Sequence, residues 1–392
     1  MTNLPQGWEV KTLSEIGEII TGSTPSKSNV EFYRKDYPFF KPSDFEQGYF
    51  LENAGDNLSK LGFGKARQLP PKTILVVCIG SLGKVALTRV IGSCNQQINA
   101  IIPHKNIISE YIYYYYCISS KFQSILFSKA PQTTLAIFNK TEFSKLEIIY
   151  PKDIKEQERI VGILDFAFSK IDENIKKAKE NLANIDELMQ SALQKAFNPL
   201  KDNAKENYKL PQSWEWKSLE EISENISAGG DKPKNCTESK TAKNQIPVYA
   251  NGVNNNGLVG YTDKATIIKP SLTISARGTI GFVCIRKEPY FPIVRLISLI
   301  PCENILCLHY LYFCLNFFIA KGEGSSIPQL TIPKFKSLQI PLPPLKEQEQ
   351  IAEHLDFVFE KAKALKELYT KELKDYEELK QSLLNKAFKG EL

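Results

Sequence analysis

From residue 164 to residue 196, apolar side chains recur in alternating steps of four and three: Leu164, Phe168, Ile171, Ile175, Ala178, Leu182, Ile185, Met189, Ala192 and Ala196. That spacing is a heptad seam, and it predicts one long amphipathic helix whose other faces carry Lys, Glu and Asn. The last fifty residues show the pattern again. Leu355, Ala362, Tyr369, Tyr376 and Leu383 keep one row with Leu365 and Leu379 beside it, while Lys366 and Lys380 interrupt the other row. Pro151 and Pro343–Pro344 mark the helix starts; Asn198–Pro199 and Gly390 mark the ends. Each helix has roughly 40 residues and so spans about 60 Å.

Outside these helices the apolar runs are short. "TILVVCIG" and "KVALTRVIG" are β-rich stretches around a turn at Gly80 to Gly83, and "ATIIKPSLTISARGTIGFVCIRK" carries Gly278 to Gly281 at the matching place. A helical patch follows each, "SEYIYYYYCISSKFQSILF" and "ILCLHYLYFCLNFFIAKG". The many aromatic residues of these patches are expected to pack the core rather than stack on bases. Each region is therefore a mixed α+β globule.

The order of parts is repeated. "LPQGWEVKTLSEI" (4–16) returns as "LPQSWEWKSLEEI" (210–222), identical at nine of thirteen positions. "KEQERIVGILDF" (155–166) returns as "KEQEQIAEHLDF" (346–357), identical at eight of twelve, and the helices close alike on "LQKAF" and "LLNKAF". The unit duplicated is globule plus helix, which divides the chain into 1–150, 151–198, 199–342 and 343–392. A helix this long cannot bury its seam alone, and the other copy is the evident partner. With a short connection from about Asn198 to Lys209, the second helix is expected to run back antiparallel. The two units are then related by a pseudo-two-fold axis, with a globule at each end of a rod.

Composition narrows the class. The chain has 392 residues, 42% hydrophobic and 24% charged, as in a soluble protein of two or three domains. No apolar run is long enough to cross a membrane, and the start lacks a secretory signal pattern. The eight cysteines are scattered singly, mostly in apolar runs, so buried reduced thiols and a cytoplasmic location are expected. A net charge of +6 names no partner, but from Gly229 to Lys287 nine Lys and Arg face three acids, with many Asn, Ser, Thr and Gly between them. A solvated loop region could look like this. Lys and Arg also contact phosphates, and Asn, Gln and Arg pair with base edges.

No catalytic constellation stands beside these features. "GSLGKV" lacks the spacing of a phosphate loop and reads as a tight strand turn, and "GFGK" at 62–65 is no nucleotide fingerprint. His104, His309 and His354 have no spaced His or Cys partner, so a metal site or histidine-based triad is not expected. "EELK" at 377–380 lies on a helix face, and "NPL" at 198–200 is a helix stop rather than part of a methyltransferase motif.

Two globules that each open with Leu-Pro-x-x-Trp-Glu, close into Lys-Glu-Gln-Glu and feed a helix ending in Lys-Ala-Phe resemble the specificity subunits of type I restriction–modification systems. The resemblance covers essentially the whole chain. "TGSTPSK" also resembles the family's first recognition domain, whereas the second copy has "SAGGDKPK". The resemblance implies a non-catalytic subunit whose globules are target recognition domains, each reading half of a split, asymmetric site in double-stranded DNA. It implies helical spacers that hold two methyltransferase subunits. It also implies restriction subunits that translocate and cut, with no cofactor on this chain and S-adenosylmethionine, ATP and Mg on the partners. A recognition module of a fused methyltransferase–nuclease system, or a coiled-coil scaffold with no DNA role, would share the same organisation.

The family pattern transfers no base-contact positions, so candidates rest on chemistry and loop placement. In the first globule they are Ser23, Thr24, Lys27, Lys41, Ser43, Lys65, Arg67 and Lys84. In the second they are Lys232, Lys234, Asn251, Asn254, Asn255, Lys264 and Arg277.

Overall fold

The computed structural model describes residues 4–117, 138–198, 210–319, 322–323 and 330–392. The ends of both aromatic patches and most of the 198–209 connection lie outside these residues. The chain forms two compact units: residues 1–178 with 370–392, and residues 179–369. The division cuts both long helices, Ile154–Phe197 and Leu345–Ala387, so each unit holds one globule and a half of each helix.

The two globules share one construction. In the first, the strand Ile98–Pro103 lies antiparallel between Gly17–Thr21 and Ile74–Val77, and Val85–Thr88 and then Phe50–Leu51 complete the sheet. In the second, Ile297–Pro301 lies between Ser223–Ala228 and Ser271–Ile274, and Val283–Arg286 follows. A smaller sheet in each contains one parallel pair, Tyr37–Phe40 with Gly92–Cys94 and Ile246–Tyr249 with Phe291–Pro292. The opening segment of each globule pairs antiparallel with its closing strand: Trp8–Thr12 with Glu147–Pro151, and Glu215–Ser218 with Gln339–Leu342.

The repeated motifs are the fasteners of this frame. After each opening strand a one-turn helix buries Leu13 and Ile16, or Leu219 and Ile222. Glu15 Oε2 accepts from Thr12 N at 2.7 Å and Glu221 Oε2 from Ser218 N at 2.8 Å, a capping interaction that satisfies a donor at the helix start. The Gln of each Lys-Glu-Gln-Glu is fully buried. Gln157 Oε1 accepts from Ile108 N at 2.9 Å, and Nε2 donates to Pro151 O at 2.9 Å and Asn106 O at 3.3 Å. Gln348 makes the same three bonds, from Cys307 N at 2.9 Å and to Pro343 O at 2.8 Å and Ile305 O at 2.9 Å. One amide thus ties the helix start, the closing strand and the loop before the aromatic helix. The aromatic helices are core, as expected: Tyr111, Tyr114, Tyr116, Tyr310 and Phe313 are buried.

The long helices pair antiparallel within each unit. Leu164, Phe168 and Ile171 of the first helix share a core with Leu384 and Ala387 at the end of the second. Leu193 and Phe197 at the end of the first share a core with Ala352 and Leu355 near the start of the second. The closing Phe residues do equivalent work: Phe388 meets Tyr111 edge-on and Phe197 meets Tyr310 edge-on, both at 5.5 Å between ring centres. Three details differ from the periodic reading. The buried row passes from Ile185 to Leu193 and Phe197 rather than through Ala192 and Ala196, because a straight helix drifts by about 20° per heptad. Leu365 and Leu379 are exposed. Lys366 and Lys380 do not interrupt the seam; they reach across it to Asp186 and Asp172 of the first helix.

Candidate nucleic-acid interface

In each unit the chain leaves the first sheet strand at a glycine that the backbone requires. A Cβ on Gly22 would stand 2.0 Å from Asn95 O, and one on Gly229 would stand 2.6 Å from Ile293 N. Gly22 N donates to Ile98 O at 2.9 Å, and Gly229 N to Leu296 O at 2.8 Å. "TGSTPSK" and "SAGGDKPK" therefore share their glycine and diverge after it.

In unit 1, Ser23, Thr24 and Arg67 come together. Ser23 Oγ accepts from Arg67 N at 3.1 Å, the Arg67 guanidinium donates to Thr21 O, and Thr24 Oγ1 donates to Gln96 Oε1. Lys65, the last residue of a short helix, and Ser43 are exposed. Lys27 lines an open cleft with Tyr33, Arg34, Lys35 and Asn57. Lys41 pairs with Asp56. Burial, and then the nearby Lys27 charge, lowers the pKa of the Lys41 ammonium below its usual value. Lys84 pairs with Glu46.

In unit 2, Asn251 is spent on the backbone. Its Oδ1 accepts from Ala276 N at 2.8 Å and its Nδ2 donates to Val294 O at 2.6 Å. Arg277 and Arg295, the residues next to those two, are exposed. Asn254 and Asn255 sit on an exposed turn where Asn255 and Asn256 take positive φ, 48° and 52°, a region Asn tolerates. The buried Arg286 fastens that turn, donating to Asn256 O at 2.5 Å with its guanidinium 3.5 Å from the Tyr249 ring centre. A separate lysine group surrounds Asp263: Lys243 stands 3.8 Å away, and Asn235 donates to Asp263 Oδ1 at 2.6 Å, joining the segments that carry exposed Lys234 and Lys264. The Asn235 bond, aided by Lys243 and Lys264, holds the Asp263 carboxyl below its usual range. Lys232 is exposed on the same segment.

The turn that joins Ile74–Val77 to Val85–Thr88 in one main sheet and Ser271–Ile274 to Val283–Arg286 in the other aligns Gly80 with Gly278 and Gly83 with Gly281. Gly83 N donates to Val77 O and Gly281 N to Ser275 O, both at 3.0 Å. Arg277 thus corresponds to Ile79, and Lys84 to Phe282. Gln96 and Arg295 belong to these groups but were not among the sequence candidates. Arg295 lay beyond the basic stretch, and the turns that present both residues have no sequence signature.

Cys78, Cys94 and Cys314 are buried, and burial pushes the Cys78 and Cys94 thiols up to about 12. Cys236, Cys284, Cys302 and Cys307 are half-buried rather than buried. Among the described residues no cluster of His, Cys, Asp or Glu could hold a metal, and no helix is long and apolar enough to cross a membrane.

The fold and these edges define an internally duplicated protein with two recognition-type globules carried on paired helices. Residues 5–184 and 211–374 match the type I restriction modification DNA specificity domain, and the chain belongs to that family. It is 39% identical to the HindI specificity subunit of Haemophilus influenzae over 176 residues, which span 44% of this chain but only 38% of that relative. With the MjaIX specificity subunit of Methanocaldococcus jannaschii it shares 24% identity over 91% of this chain and 88% of the relative. Two solved structures share its fold. One, from work on complex assembly and conformational transition of the type I restriction–modification system, has a TM-score of 0.82 at 19% identity over all of both chains. The HsdS subunit of Thermoanaerobacter tengcongensis has a TM-score of 0.63 at 20% identity, covering 99% of this chain and 98% of that one.

Proposed function

We propose that this chain reads a split, asymmetric DNA site, one half-site per globule, and that its helices hold two methyltransferase subunits. One observation carries the reading: a single frame, fastened by the same residues twice, bears two chemically different edges. A homodimer-like reader of a palindrome would need identical edges. Different edges on equivalent frames suit two unlike half-sites. Lys27, Lys65, Lys232, Lys234 and Lys264 supply phosphate contacts, which fix register without reading sequence. The Arg, Asn, Gln, Ser and Thr side chains of the two edges supply base contacts.

Docking of one partner type at two places is supported by the helix surface. Phe166 and Phe357, the last residues of the repeated segments, are 69% and 59% exposed at equivalent positions. A pair of exposed aromatic anchors fits two copies of the same protein. In this assembly, S-adenosylmethionine resides on the methyltransferases, and ATP and Mg on restriction subunits that join them.

The test is a gel shift of the chain co-expressed with its methyltransferase, using duplexes that carry the motif methylated in the native genome. Altering either half should abolish the specific complex. Absence of any sequence preference would contradict the reading. Lys232→Ala or Lys234→Ala should weaken binding to all duplexes alike and flatten its salt dependence. Four residues inserted near Ala178 should lengthen the first helix by about 6 Å. At about 3.4 Å per base pair, that lengthens the unread spacer by one or two base pairs.

A further inference from the structure

One turn stands at the same place in both units and is built differently in each. It follows the parallel-paired strand and leads into the central sheet strand. Asn95 N donates to Phe40 O at 3.1 Å, and Ile293 N to Tyr249 O at 2.8 Å, so Asn95-Gln96-Gln97 corresponds to Ile293-Val294-Arg295. In unit 2, Val294 and Arg295 both take left-handed backbone conformations, with φ of 52° and 59°. For a β-branched residue this is strained, and strain persists only where the surroundings over-determine it.

Here they do. Val294 N donates to Gly230 O at 2.8 Å, Arg295 N to Gly229 O at 2.9 Å, and Asn251 Nδ2 to Val294 O at 2.6 Å. Burial does not offset the strain, because Val294 is 50% exposed. Nor is the choice of residues a turn requirement. The same unit uses Asn255 and Asn256 at its other left-handed pair, and Asn or Gly would adopt residues 294 and 295 at lower cost. What Val294 and Arg295 add is their side chains, held outward on a rigid turn.

We propose that this turn is the base-reading edge of each unit, with Gln96 and Arg295 as specificity-determining residues and Asn251 as a positioning residue. The proposal rests on the DNA-reading function above. Arg presents a fork of donors that matches guanine in the major groove, and Gln can pair with adenine through both ends of its amide. In unit 1, Gln97, the residue equivalent to Arg295, is held within the turn by Asn95: Gln97 N donates to Asn95 Oδ1 at 3.1 Å and Asn95 Nδ2 to Gln97 Oε1 at 2.8 Å. Gln96 itself is exposed; Thr24 Oγ1 takes one lone pair of its Oε1, and the second lone pair and the Nε2 donors face a base. Asn251, unlike Gln96, is half-buried, and both of its amide ends hold backbone groups. It joins the two loops whose next residues are Arg277 and Arg295.

The experiment uses the full chain co-expressed with its methyltransferase and a panel of duplexes varying each base of the native motif. Arg295→Ala should relax one position in one half-site by roughly tenfold or more and leave the other half unchanged. Arg295→Lys should relax the same position, because the charge remains and the fork is lost. Gln96→Ala should relax a position in the other half. Asn251→Ala should relax the position set by Arg295, and adding Val294→Gly should restore part of the preference there, since glycine removes the strain at residue 294. If the parent shows full preference and Arg295→Ala keeps it, or loses affinity for all sequences equally, the edge assignment is overturned while the DNA-reading function stands. If Asn251→Ala disturbs both halves alike, its positioning role is overturned. A parent without sequence preference would overturn both.

Discussion

Units 1 and 2 differ where they face outward and agree where they are fastened. Both bury the same Leu, Ile and Gln of the repeated motifs, close on a Phe–Tyr contact, and turn out of the sheet at a glycine that admits no side chain. Their exposed edges share almost nothing: Ser23, Thr24, Gln96 and Arg67 in one, Arg277, Arg295 and the asparagine turn in the other. Duplication has kept what holds the frame and released what the frame presents. The proposed reading of two unlike half-sites requires that division.

If the frame residues are equivalent, their loss must cost the same in both units. Gln157→Ala and Gln348→Ala each strand three backbone groups, and leaving a buried group unpaired costs about 1–3 kcal/mol. Each substitution should destabilise its unit by about 3–5 kcal/mol, read as an early separate transition in calorimetry. A large effect at one position and none at the other would break the equivalence.

The helix pairing offers a finer comparison. Lys380 is 13% exposed and pairs with Asp172, while Lys366 is 35% exposed and pairs with Asp186. Both aspartates are well exposed, so solvent screens the pairs and their worth is small. Lys380→Ala should cost about 1 kcal/mol or less in denaturant unfolding and Lys366→Ala less still; the reverse order would show that packing rather than charge sets the seam.

The smallest effect concerns pH. Hydrogen bonds from Thr12 and Ser218 hold the carboxyls of Glu15 and Glu221 below their ordinary value of 4.5. A carboxyl whose folded pKa is depressed stabilises fully above the unfolded value, and that stability is lost as pH falls through the folded one. Melting temperatures should therefore converge between the parent and the Glu15→Gln, Glu221→Gln double variant as pH drops below 4.5, and differ slightly above it.

Much of the frame was legible because its signals are periodic or repeated. A heptad seam names its helix, and a motif kept in two copies marks a shared structural duty. The parallel pairing of Tyr37–Phe40 with Gly92–Cys94 was not legible, since it joins segments about fifty residues apart through backbone groups every sequence has. Lys366 and Lys380 looked like breaks in a seam because their partners lie on another helix. Arg277 and Asn251 could be picked for their chemistry, but Asn251's occupation by two backbone groups could not. Arg295 and Gln96 are not legible in the sequence, because their presentation depends on turn conformation, and Val-Arg carries no hint of a left-handed turn.

The central claim is that two globules read two half-sites independently. Replacing residues 1–150 with a homologous globule, then reading the motif methylated in cells by methylation-sensitive long-read sequencing, tests it most directly. The account predicts one new half-site, with the other half and the spacer length unchanged. A change in both halves, or in the spacer, would contradict it.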